Sequence, residues 1–355
     1  MVPLATPAAA CPDAATRPGA TTRPGPIARH RAHPRHRPPL RVGTRASPLA
    51  LVQTRAFLAL LTRFCPVLRH PLPDGRPVFE EHRICTTGDR LQDRPLADIG
   101  GKGLFSKEIH EALLDGRIDF AVHSLKDLET ELPPGIVLAC TLAREDARDA
   151  LILGPPCAMP DPADPFACLP RGALVGTSSV RRQAQLLHAR PDLRVETIRG
   201  NVQSRLGKLR DGRYDASLLA LAGLKRLGLE AEAGAVLDTA AMVPAACQGI
   251  VGVTVREDDQ ELRELLLAIE DPGARAVATA ERSLLAELDG SCRTPIGGYA
   301  RHLPDGRIAL TGLVARADGS FLLRRRVEGE RAEAAELGAA LGAGLRADSP
   351  RDVFA

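Results

Sequence analysis

Apolar and polar positions alternate in short blocks along most of the chain, and the blocks predict strands and helices in turn. The stretch "RVGTRASPLALVQTRAFLALL", from Arg41, reads as a short apolar strand, then Val-Gly-Thr, then a Ser-containing turn that opens an amphipathic helix. "ALVGTSSVRRQAQLLHAR", from Ala173, repeats that order. Two similar strand-turn-helix units predict two similar α/β domains. Such a turn aims backbone N–H groups and the positive end of a helix at one point, which favours an anion.

The alternation continues in both halves. "VFEEHRICTTG" (78–88) reads as a strand, "SKEIHEALLDG" (106–116) as a helix closed by Gly116, and "IDFAVHS" (118–124) as a buried strand. Further on, "LRVETIRG" predicts a strand, "NVQSRLGKLRDG" a helix with Asn201 as N-cap, and "YDASLLALAG" a strand. Each half should form a mostly parallel sheet with alternating helices. A helix from Asp271 to about Asp289 is followed by a cysteine turn, the strands "RIALTGLVAR" and "SFLLRRRVEG", and a terminal Ala/Leu helix, which predicts a small α+β third domain. The expected domains are 40–143 with 248–269, then 144–247, then 270–355.

Three segments break the periodicity. Thr86 to Phe105 is rich in Gly and Asp and reads as a functional lid or a disordered loop, and 153–172 reads as a surface excursion. Residues 1–39 hold nine prolines, six arginines and a single acid, Asp13, and predict a disordered arm. The arm lacks the apolar region of a secretory signal, and its prolines argue against the amphipathic helix of a transit peptide.

Composition narrows the picture. A chain of 355 residues that is 44% hydrophobic can fill two or three cores, and 3% aromatics without Trp suits Leu/Val/Ile/Ala packing in α/β layers. No run of about 18 apolar residues predicts a membrane span. Eight cysteines without a CxxC pair read as reduced thiols of a cytosolic protein. The net charge of +3 is too small to argue for nucleic acid, so a strong anion site must be local. Only five of the 47 basic residues are lysines, at 102, 107, 126, 208 and 225. Genome composition explains the skew, and a surviving ammonium is then mildly informative.

Arg45, the pair Arg181 and Arg182, and Arg199 followed by Arg205 fall at predicted strand ends or helix starts. Solvated surface is the ordinary fate of arginine. Ligands of open α/β sheets, however, bind beyond the carboxyl ends of strands, and converging guanidiniums imply several carboxylates or phosphates. In "VHSLKDLE", Lys126 and Asp127 stand just past a buried strand. By position Asp127 serves equally as a turn residue or in catalysis; among arginines its pKa should fall, and an ionised carboxylate there can stabilise positive charge on a substrate. His123 reads as a structural histidine. Cys292, in "GSCRTPIGG" (290–298), has the ordinary alternative of a small buried hydrophobe, but its polar or small flanks suit an accessible, reactive thiolate. No base motif accompanies it and no second thiol offers a metal site.

Eight stretches carry a resemblance: "RASPLAL", "GGKGLFSKEI", "DFAVHSLKDL", "VGTSSVRRQAQL", "RGNVQSRLGKL", "LALAGLKRLG", "CQGIVGV" and "GSCRTPIGG". In order and context the chain resembles the porphobilinogen deaminase (hydroxymethylbilane synthase) family over about residues 40–330. The resemblance implies an α/β fold of two periplasmic-binding-protein-like domains plus a small C-terminal α+β domain. It implies a cytoplasmic transferase of tetrapyrrole biosynthesis, expected as a monomer with no nucleic-acid or membrane partner, an organellar destination being left open by the arm. The reaction implied joins four porphobilinogen molecules head to tail with loss of ammonia and releases hydroxymethylbilane.

The family's cofactor would be a dipyrromethane primer, held through a thioether to Cys292. A soft thiolate traps the electrophilic methylene left by ammonia, and the thioether resists hydrolysis as an ester would not. Asp127 matches the catalytic aspartate. Ser124, Lys126, Thr177, Ser179, Arg181, Arg182 and Arg205 would hold the cofactor; Arg45, Ser47, Arg199 and Gln248 would meet the substrate; Lys102 and Phe105 would belong to the lid. Asp98, Leu128-Glu129 and Cys247 depart from the family's pattern. A reading of another class, a non-catalytic polycarboxylate-binding protein, fits the two paired domains equally well. Asp127 and a third domain presenting Cys292 separate the two.

Overall fold

The structure is a computed structural model that describes residues 38–90, 103–155, 157, 160–161, 163–288 and 294–354. The expected arm (to residue 37), Lys102, Asp98 and Cys292 lie outside the described residues.

The first sheet is built from β1 (Leu40–Arg45), β2 (Phe79–Ile84), β3 (Phe120–Ser124), β4 (Ile136–Thr141) and β10 (Val251–Arg256), in the order β2-β1-β3-β10-β4. β1 runs parallel to β2 and β3, whereas β10 runs antiparallel to both β3 and β4. Helix α1 (Pro48–Phe64) buries Phe57 and Leu61 against this sheet. Phe57 and Phe79 meet Phe120 edge-on in this core, at ring separations of 5.8 and 6.4 Å.

The second sheet repeats the plan with β5 (Asp149–Leu153), β6 (Leu174–Gly176), β7 (Arg194–Glu196), β8 (Ala216–Ala220) and β9 (Ala235–Val236), in the order β7-β6-β8-β5-β9. Here β5 is the reversed strand, antiparallel to β8 and β9. The expected pair of mostly parallel sheets is therefore present, each with one reversed strand. The reversed strand is in both sheets the first one the chain enters after crossing from the other: β5 follows β4, and β10 follows β9. The start of a reversed strand lies at the same sheet edge as the carboxyl ends of its parallel neighbours. That edge is where ligands bind.

Two expectations are corrected. "YDASLLALAG" forms only the strand Ala216–Ala220, and Leu221–Arg226 turns into a helix whose Leu221 and Leu224 are buried beneath it. The stretch 153–172 is not wholly a surface excursion, since Phe166 and Leu169 are core residues of the second sheet. Their burial offsets the cost of ordering so long a connection.

The third sheet, β11 (Ile296–His302), β12 (Ile308–Ala315) and β13 (Leu322–Gly329), is antiparallel throughout. The helices Pro272–Glu287 and Ala334–Asp348 pack against it. They approach at backbone contact: a Cβ on Gly338 would stand 2.2 Å from the Ala280 carbonyl oxygen. Glu281, on the first of these helices, is fully buried. Its carboxylate pairs with Arg144 at 2.6 Å and accepts from the Ala300 and Cys247 backbone N–H groups. One side chain thus joins both inter-sheet crossings to the third sheet. Glu281→Ala leaves a buried guanidinium uncompensated and should cost about 3–5 kcal/mol. Thermal or urea unfolding checks this, and a loss below about 1 kcal/mol would contradict it.

Candidate active site

Two adjoining cavities open at the carboxyl edges of the two large sheets. The larger, ≈580 Å³, is lined by Arg45, Ser47, Asp89, Ser124, Arg199 and Asn201, among others. The smaller, ≈280 Å³, is lined by Ser179, Arg181, Gln248 and Thr294. Phe105, Lys126, Asp127, Arg182 and Arg205 face both.

Helix starts converge here as the sequence predicts. Ser47 caps α1, its Oγ accepting from the Ala50 N–H at 3.3 Å. Ser179 caps α2 (Val180–Ala189), and Asn201 caps α3 (Val202–Arg210) by accepting from the Ser204 N–H at 2.9 Å. Thr177 lines neither cavity: it is buried behind the turn, and its Oγ1 accepts from the Ser179 N–H at 3.1 Å.

Behind the arginines of the smaller cavity's wall lies a carboxylate that sequence reasoning missed. Asp149, the first residue of β5, is fully buried. Its Oδ2 accepts from Arg181 and its Oδ1 from Arg182, both at 2.8 Å, and Oδ1 accepts also from Gln248 Nε2 at 2.8 Å. Burial pushes the Asp149 carboxyl up, but the two guanidiniums outweigh burial and hold it well below the usual carboxylate range. Arg181 and Arg182 spend their other ends on the carbonyls of Val243 and Leu218. The Nε atom of each is buried without a partner. Gln248 Oε1 in turn accepts from Lys126 Nζ at 3.1 Å, so one amide links the first sheet's lysine to the second sheet's aspartate. Burial pushes the Lys126 ammonium down to about 8, with Asp127 opposing. Burial, then Arg182 and Arg199, push Arg205 down to about 10.

Asp127 ends a short turn that follows β3, and its Oδ2 lies 3.8 Å from Arg45 Nη1. The Phe105 ring covers the Arg45 guanidinium at 4.1 Å. Arg199 is buried and donates to the Gly88 carbonyl at 3.3 Å. Ser124 donates to Gln53 at 3.0 Å. His123 is structural, as expected: its Nε2 is 2.9 Å from Thr254 Oγ1, and burial, with His110 and Arg45, pushes it down to about 3. All the expected site residues that are described, Thr177 excepted, line one cavity or both.

The departures from the family pattern have structural readings. Cys247 has φ 61°, the left-handed region that favours glycine, and its side chain is buried. Leu128 joins the core beneath the third sheet, and Glu129 Oε2 accepts from Ser106 Oγ at 2.7 Å. The signal for Asp149 was weak: an acid heading the apolar run "DALIL" needs a buried cation, but nothing in the sequence says which.

Fold and site together define a protein with a cationic cleft between two α/β domains, built to hold a small molecule bearing several carboxylates. Residues 40–264 match the family described as "Porphobilinogen deaminase, dipyromethane cofactor binding domain", and 276–347 match its C-terminal domain. Porphobilinogen deaminase of Nitrobacter winogradskyi is 49% identical over 298 residues, covering 84% of this chain and 90% of that protein. The chloroplastic porphobilinogen deaminase of Oryza sativa subsp. japonica is 47% identical over 281 residues, 79% of this chain and 75% of the relative. The chain belongs to the porphobilinogen deaminase family. The periplasmic VFT2 domain of Bordetella pertussis BvgS aligns with 68% of this chain and 92% of its own at 15% identity and a TM-score of 0.35. No helix among the described residues is long and apolar enough to cross a membrane.

With only five lysines in the chain, the Lys126 ammonium can be followed by NMR of lysine-labelled, cofactor-free protein. One resonance should lose its proton as pH rises through about 8. All lysines titrating near the ordinary value of 10.5 would contradict the burial argument.

Proposed function

We propose that this chain is a hydroxymethylbilane synthase, a transferase that joins four porphobilinogen molecules head to tail with loss of ammonia on a dipyrromethane primer held by Cys292. Family membership supports the reaction class. The observation that carries the residue roles is Asp127, which faces both cavities and stands among arginines.

The donor set fits the cofactor. Each pyrrole ring bears an acetate and a propionate, and the smaller cavity offers Lys126, Arg181, Arg182 and Arg205, with a buried unpartnered Nε on each of the adjacent arginines. Thr294, two residues past Cys292, lines the same cavity. When bound, the primer supplies a free, nucleophilic α-carbon for chain growth.

The chain's own residues do the rest. Lys126, Ser179, Arg181, Arg182 and Arg205 bind the primer's carboxylates; Thr177, expected among them, instead braces the turn behind Ser179, and Ser124 lies on the larger cavity. Arg45, Ser47 and Arg199 orient the incoming substrate, and Gln248 positions Lys126. The carboxylate of Asp127 stabilises positive charge that develops on pyrrole nitrogen. The domains are assigned at 40–143 with 248–269, at 144–247 and at 270–355.

Asp127→Ala should slow bilane formation at least about 100-fold while the protein stays folded. A normal rate in that variant would remove Asp127 from the mechanism.

A further inference from the structure

The larger cavity already contains a carboxylate where a substrate carboxylate would be expected. Asp89 accepts from Arg45 Nε at 3.2 Å through Oδ2 and from Arg45 Nη2 through Oδ1. That is the two-nitrogen edge by which a guanidinium grips a carboxylate bidentately. The Arg45 edge at Nη1 faces Asp127, and the Phe105 ring covers one face of the guanidinium. Thr86 braces the aspartate, its Oγ1 donating to Oδ2 at 2.8 Å and its N–H to the same oxygen at 3.4 Å. Burial pushes the Asp89 carboxyl up, but Arg45 and Thr86 outweigh it and keep it below the usual range, so it is an anion at neutral pH. Arg199 lies close enough to feel both Arg45 and Asp89.

We infer that Asp89 is a resident carboxylate which the incoming substrate must displace from Arg45. The inference rests on the assignment of Arg45 to the substrate made above. Displacement exchanges one Arg–carboxylate pair for another, so a substrate carboxylate gains almost nothing at Arg45 and net binding comes from the ligand's other contacts. Asp89 therefore lowers the affinity for every anion that uses Arg45, and by the same factor.

Asp89→Asn keeps the side chain's shape and removes the competing charge. Steady-state kinetics of the complete enzyme with porphobilinogen should show KM reduced about fivefold, the size expected for a partly exposed ion pair. Arg45→Leu is the control for the underlying assignment: if it leaves KM unchanged, Arg45 does not hold substrate and that reading fails. If Arg45→Leu raises KM but Asp89→Asn leaves it unchanged or raises it, Asp89 only holds Arg45 in place and the inference is overturned. Asp89→Ser, judged by the same KM criterion, replaces the Asn variant should that protein not fold.

Discussion

Two arginines that follow one another on a helix and are both buried cannot stand without an anion between them, and the site depends on how that need is met. Asp149 gives one oxygen to each guanidinium and is itself completely enclosed. Breaking such a cluster costs more than making it yields, because any member left alone is a buried charge. The requirement reaches outward. Asp149 is at the cleft edge because β5 is reversed, and β5 is the strand by which the chain enters the second sheet. Gln248, just before the returning strand β10, bonds the same carboxylate and carries the connection to Lys126 in the first sheet. The two crossings between the sheets thus meet at one ion cluster, which also holds the cation wall.

This arrangement explains how a modest net charge coexists with a strongly cationic cleft. Arginines elsewhere are answered locally, as Arg144 is by Glu281 and Arg41 by Asp119. Around the smaller cavity Lys126, Arg181, Arg182 and Arg205 outnumber the anions Asp127, Asp149 and Glu129. Around the larger one Arg45, Lys126, Arg182, Arg199 and Arg205 face Asp89 and Asp127. Both cavities therefore carry an excess of positive charge.

Much of this is legible in the sequence. The repeated strand, Val-Gly-Thr and Ser-capped helix predicted paired domains, and Ser47, Ser179 and Asn201 are the caps expected. Arg45, Arg181, Arg182, Arg199 and Arg205 do gather at two adjoining cavities. What was not legible depends on long-range pairing. The runs that become β5 and β10 are apolar on both faces, and nothing local records that they run against their neighbours; Asp149 pairs with Ala220, far along the chain. Asp149 and Asp89 acquire meaning only once distant arginines are brought to them. The strand predicted over "YDASLLALAG" failed at Leu221 because an apolar run says that a segment is buried and not whether it is strand or helix.

On the proposed function, the cation wall around Asp149 holds a primer that the chain carries covalently. Intact-mass analysis of freshly isolated, active protein, followed by peptide mapping, is the decisive measurement. A mass excess of two linked pyrrole units, localised to the peptide containing Cys292, is expected. An unmodified Cys292 in catalytically active protein would contradict it.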